Sequence, residues 1–275
     1  MSAVITEEAA SRPAVQGRSG LPQVIRSEWT KLWSVRSTGW SLLAMIATTV
    51  GFAALICWGT ASEADQIPAA ERASFDATAI SLAGLTFGQL AAAVLGVLVI
   101  SSEYSTGGIR TSLVAVPRRL RLIAAKGIVV VAVVLVVGML SSFAAFLVGQ
   151  ALLASAGLDT SLGEPGVLRA VIGGGLYLTA SAMFGFAFGT LLRQTAGGIV
   201  AAVAGLLVVP PLTMLLPGGW GDAVSKWFTS NAGQQVVAVQ QQGDVATPWA
   251  GFLVFCVWAV AFLLLGAALM KRRDA

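Results

Sequence analysis

Residues 127–158 read GIVVVAVVLVVGMLSSFAAFLVGQALLASAGL, 32 consecutive residues without a charge. The apolar run is continuous, so it shows neither the 3.6-residue stripe of a helix on a soluble core nor the alternation of a half-buried strand. Wholly helical, it would extend roughly 48 Å, against roughly 30 Å of bilayer hydrocarbon. Lipid offers backbone N–H and C=O groups no partners, whereas a helix pairs them internally. The stretch therefore reads as a membrane-spanning helix that must tilt, bend or protrude.

Five further charge-free windows accompany it, at 37–62, 77–102, 170–192, 194–221 and 245–270. Each holds at least 23 residues, and about 20 suffice for a helical crossing. Of the 275 residues, 56% are hydrophobic and only 11% charged, while soluble domains carry about 25% charged residues. The expected fold is an all-α membrane protein with six transmembrane helices, at about 40–60, 82–101, 124–156, 169–192, 195–216 and 249–270. Pro210-Pro211 should break or kink the fifth, since proline lacks an amide donor and its ring clashes with the preceding turn. Ser181, Gly185 and Gly189 form a small-xxx-small series in the fourth, which suits packing within the chain. The uncharged stretch 227–243 is not a span, because it carries Asn231 and the glutamines 234, 235, 240, 241 and 242. It belongs to the outer segment 217–248, where short helices would cap or re-enter the outer leaflet.

With a cytoplasmic amino terminus and six crossings, 14 of the 17 Lys/Arg but only 5 of the 13 Asp/Glu fall in cytoplasmic segments. That asymmetry is the positive-inside signal, so both termini are expected to be cytoplasmic and the location a cell membrane. The basic balance then needs no nucleic acid to explain it. Trp40, Trp58 and Trp249 near span ends fit interfacial positions. Residues 1–20 lack the apolar core of a signal peptide and are expected to form a disordered cytoplasmic tail. Residues 21–275 make one membrane domain. It opens with an amphipathic helix at 24–33, in which Ile25, Trp29, Leu32 and Trp33 share a face and Glu28 and Lys31 supply charge, lying in the inner headgroup layer.

Several chemistries are missing. No GxxxxGK[ST] phosphate loop occurs, so P-loop ATP hydrolysis is not expected of this chain. Histidine is absent, and the six windows hold no Asp, Glu, Lys or Arg for intramembrane hydrolysis or proton coupling. Cys57 and Cys256 have no metal or disulfide spacing, and no cofactor is expected here. A sodium site of carbonyls and hydroxyls stays open, although Thr48, Gln89, Ser142, Gln150 and Ser181 suit interhelical or i−4 hydrogen bonds.

The most informative polar segment is the loop SSEYSTGGIRTSLVAVPRRLR at 101–121, ending at Lys126. It resembles the loop of type-2 ABC transporter permeases, in which the second span ends in Glu, a Gly-containing turn and a short helix follow, and Pro and basic residues precede a Lys-bearing third span. The likeness extends to the elbow-like Arg26-Ser27-Glu28-Trp29-Thr30-Lys31-Leu32, the six spans and the long outer segment, and the Ala/Gly/Val bias is similar to such subunits in high-GC Gram-positive bacteria. Gly107-Gly108 departs from the pattern, where one Gly followed by a larger residue is expected.

The resemblance implies a permease subunit of an ATP-driven exporter, with ATP and Mg on separate P-loop ABC ATPase subunits. It also implies a second permease copy or close relative, surrounding membrane lipid, and alternating access. It assigns ATPase coupling to Glu103, Tyr104, Thr106, Gly107, Gly108, Ile109, Arg110, Leu113, Pro117 and Arg118 in the loop 102–126. Glu103 stands at the end of the second span, where a buried carboxylate costs several kcal/mol unless paired, so it is expected to have a partner: Arg110, the backbone amides around Thr106 to Gly108, or a group on the ATPase. The residues suit a force-transmitting contact: the glycines permit a sharp turn, Ile109 and Leu113 share a face of a short helix, and Pro117 stops it. The plainer alternative is a basic loop holding anionic lipid, at about 1 kcal/mol per basic residue. The rival functions are an ATP-independent secondary transporter and a non-transporting scaffold.

Overall fold

The structure, a computed structural model, describes residues 20–68, 72, 75–105, 107, 119–240 and 245–273. Helix α1 (Leu21–Ser34) has Pro22 in its first turn, where the missing amide costs nothing. It meets α2 (Arg36–Ser62) at Val35, whose extended backbone (φ −97°, ψ 116°) makes a one-residue elbow. The short α3 (Ala77–Leu82) is capped by Asp76, which accepts the Ala79 amide at 2.9 Å, and leads into α4 (Leu85–Ser105). Next come α5 (Arg119–Ala154), 36 residues long, and α6 (Val167–Leu192). The fifth crossing is composite: α7 (Thr195–Val203), a π turn (Ala204–Val208) and α8 (Val209–Thr213). Then follow α9 (Gly219–Trp227), α10 (Thr229–Gly233) and the last crossing, α11 (Pro248–Arg273).

Six helical stretches are long and apolar enough to cross a bilayer, and no strand occurs among the described residues. The chain is thus an all-α, multi-pass membrane protein. Helix α6 is its centre: 78% of its apolar window is buried, against 22% in both the fifth and sixth crossings. Helices α4, α5 and α11 pack around it. Closeness is achieved by a reciprocal pair, because a Cβ on Gly96 of α4 would collide with the Ala182 carbonyl, and one on Gly185 of α6 with the Ala93 carbonyl. In lipid such backbone contact replaces the hydrophobic drive of water. The exposed side chains in the middle of α2, α7 and α11 are apolar, including Leu43, Leu55, Val200, Leu253, Val257 and Leu264.

The break at Pro210-Pro211 has a specific remedy. Neither proline donates an amide, so carbonyls one turn earlier lose their intrahelical partners. The helix widens into the π turn, and α10 supplies donors: Thr229 Oγ1 to Gly205 O and Ser230 Oγ to Leu206 O, each at 2.8 Å. Asn231 Nδ2 donates to Pro210 O at 3.1 Å. The segment after the fifth crossing is therefore folded into the bundle, with Gly233 against Phe255 and Tyr177.

Candidate functional site

At the end of the bundle that carries α1, four charges from three helices form a closed ring. Glu28 and Lys31 come from α1, Glu103 from the last turn of α4 and Lys126 from the second turn of α5. Each lysine meets both carboxylates. Lys31 Nζ lies 3.3 Å from Glu28 Oε1 and also bonds Glu103 Oε1. Lys126 Nζ lies 2.8 Å from Glu103 Oε1 and also bonds Glu28 Oε2. The side chain of Lys126 is only 2% exposed, whereas that of Lys31 is 43% exposed.

The arrangement balances two positive against two negative charges where an unpaired ion would cost several kcal/mol. Burial works against the charge of Lys31, but its bonds to Glu103 and then Glu28 outweigh it and raise its pKa above the ordinary 10.5. One acceptor is left over: Glu103 Oε2 is buried and has no hydrogen-bond partner among the described residues. Beside the ring a half-open cavity of about 340 Å³ is walled by Leu95, Leu98, Val99 and Val129, with Ser37, Thr38 and Ser102 near its charged end.

Glu103 is thereby placed with Lys31 and Lys126. Its neighbour Tyr104 packs under the Arg193 guanidinium, 5.6 Å from the ring centroid, and Thr195 Oγ1 donates to Ser101 Oγ at 3.0 Å. The foot of α4 is so tied also to the α6–α7 junction, where Arg193 takes a left-handed φ of 56°. Gly107 has φ 73°, open to glycine without strain, and donates its amide to the Tyr104 carbonyl. Thr106, Gly108, Ile109, Arg110, Leu113, Pro117 and Arg118 lie outside the described residues. On α1 the face turned to the protein is Val24, Glu28 and Leu32, all buried, with Ile25 packed beside it. Trp29 and Trp33 point away, half exposed and edge to face at 6.0 Å. Leu32 and Ile25 therefore part from the two tryptophans that the expected common face grouped with them, because the Val24–Glu28–Leu32 side of α1 packs on α5.

The family model for ABC-2 family transporter proteins matches residues 24–209, from the fourth residue of α1 through the first residue of α8. The chain belongs to this family. No curated protein matches it. As an ABC-2 permease it is a transport subunit of an ABC transporter rather than a catalyst, in a family that generally works with ABC ATPases.

In this permease the sequence singled out Glu103 as a carboxylate in need of a partner, with Arg110, the amides near Thr106 to Gly108, or an ATPase group as candidates. The partners in the structure are Lys31 and Lys126. Reading Glu28 and Lys31 as interfacial charges, and Lys126 as the end of a basic loop, missed the ring. The available signal was that Lys126 sits between Ala125 and Gly127 at the head of an apolar run, where a solvated lysine is out of place.

Proposed function

We propose that this permease is half of an ATP-driven exporter of a cell membrane, paired with a second permease and powered by two separate ATPase subunits. Both termini and the four-charge ring lie on the cytoplasmic side in this reading. The observation that carries it is the ring itself. It joins α1, α4 and α5 at the two ends of the 106–118 segment, where an ATPase would push. A displacement of that segment cannot move α4 or α5 alone without separating buried charges, so the three helices shift as a unit. Coupling of this kind selects between two packings of the paired subunits.

The test needs no knowledge of the cargo. In the complex purified from its native operon, with Cys57 and Cys256 replaced by Ser, spin labels at Trp58→Cys report the separation of the two permeases at the far end of α2. ATP is expected to change that separation in the parent and in Lys271→Gln. Glu103→Gln should keep ATP hydrolysis within about twofold but lose the change. A full distance change in Glu103→Gln would remove the coupling role from the ring.

A further inference from the structure

We infer that α9 is seated obliquely in the leaflet at the end of the bundle opposite the four-charge ring, with Trp220 at head-group level, Val224 and Trp227 among the acyl chains, and Asp222 at the water boundary. Trp220, Val224 and Trp227 follow the i, i+4, i+7 spacing of one helical face, and all three are exposed. A second side is docked on the protein. Gly221 rests on the Leu216 carbonyl, which a Cβ would meet at 2.3 Å, and the Ser225 carbonyl accepts Asn231 Nδ2 at 3.1 Å. Asp222 and Lys226, one turn apart, occupy the third side, and their charges cancel. The helix therefore carries no net charge to attract anionic head groups, and its partner is the apolar layer itself.

Depth decides between lipid and water for the tryptophan face. The chain leaves α8 after Thr213, yet Thr229 bonds the Gly205 carbonyl far back along the fifth crossing, so α9 carries it down into the bundle. At the foot of α9 the Trp227 carbonyl accepts from Trp258 Nε1 at 3.0 Å, and the Phe228 and Trp258 ring centroids lie 5.6 Å apart. Trp258 stands ten residues beyond Pro248 in α11. That is about 15 Å along the helix axis, close to half of the roughly 30 Å hydrocarbon layer. An exposed tryptophan at this level meets chains rather than solvent. Leu212, Met214 and Leu215, all exposed, continue the apolar outer side of the fifth crossing up to α9. Side chains on a helix lean toward its amino end, here the shallow end, so the Asp222 carboxylate and the Lys226 ammonium are drawn toward the head groups. Trp220, nearest the start, has the apolar ring and polar N–H that suit that level. The seat follows from the fold alone and is the same for either orientation of the chain in a membrane, so it does not rest on the proposed function.

The test uses the full chain without its ATPase, in lipid nanodiscs, with Cys57 and Cys256 replaced by Ser. A nitroxide is placed on single cysteines at Trp220, Asp222, Val224 and Trp227, and its collisions with oxygen, which concentrates among acyl chains, are compared with those of a water-soluble nickel chelate. The oxygen-to-nickel ratio is expected to rise from Trp220→Cys through Val224→Cys to Trp227→Cys. It should be roughly tenfold higher at Trp227→Cys than at Asp222→Cys, as for the two faces of an interfacial helix. Val224→Cys against Asp222→Cys carries the comparison if Trp227→Cys elutes as aggregate. A ratio favouring nickel at all four positions would put α9 in water and overturn the seat. Low access to both reagents at Val224→Cys and Trp227→Cys would overturn it too, because protein, a second copy included, would then cover the face. So would an Asp222→Cys label that favours oxygen as strongly as Val224→Cys.

Discussion

Lys126 reaches Glu28 across 98 positions of sequence and Glu103 across 23, and its buried side chain has both carboxylates as partners. Removing it leaves two carboxylates sharing the half-exposed Lys31. Lys126→Met should therefore destabilise the permease by about 3–5 kcal/mol, the cost of stranding a buried charge. Lys31→Met leaves the two buried carboxylates on Lys126 alone but removes a half-solvated partner, and should cost less, about 1–3 kcal/mol. Denaturant titration in detergent, followed by tryptophan fluorescence, ranks the two, and equal losses would contradict the unequal burial. The sign with pH follows from Lys31. Its folded pKa is raised above the ordinary 10.5, so its contribution is complete below that ordinary value and is lost as pH rises through the raised one. At residue scale the sequence showed that Glu103 needed a partner. It did not show which, because ion pairs between distant helices obey no spacing rule.

At the scale of elements, the fifth crossing is built by two segments. The proline pair made a break legible, and the polar run after Trp227 made another apolar span untenable. Their relation was not legible, since hydroxyl donors at Thr229 and Ser230 match carbonyls 24 residues earlier only after the chain turns back. Ser230 is 2% exposed, so Ser230→Ala leaves the Leu206 carbonyl without this donor in a site that water does not reach. A loss of about 1–3 kcal/mol is expected. Thr229→Ser keeps its hydroxyl and should change stability by under about 1 kcal/mol. Ser62→Ala is the exposed control: its hydroxyl bonds the Trp58 carbonyl within the same helix, and its loss should fall within about 0.5 kcal/mol. Thermal unfolding of the three variants in one detergent checks the order. A neutral Ser230→Ala would mean that the π turn satisfies its own carbonyls.

For the whole molecule, the number of crossings was legible because length and absence of charge fix a span without any contact being known. The central place of α6 was not, since its window is no more apolar than the others and its burial depends on glycine pairs meeting across helices. Orientation is the remaining global property, and it rests on charge alone: the basic segments, including the 106–118 loop, alternate with acidic ones at every crossing. The structure refines how to test this. Ser230 is too buried to report exposure, whereas Ser62, Ser161 and Trp220 are exposed at the end opposite α1. In a background without Cys57 and Cys256, single cysteines at Ser62, Ser161 and Trp220 should react with an impermeant maleimide on intact cells. Cysteines at Ser34, on exposed α1, and at Ser112 and Ala275 should react only after the membrane is opened. Moving 14 of 17 basic residues to the outer side would oppose the insertion bias at several loops together, so mixed labelling is not expected. Labelling of Ser112→Cys from outside would invert the topology and would put the ring on the wrong side of the membrane for an ATPase.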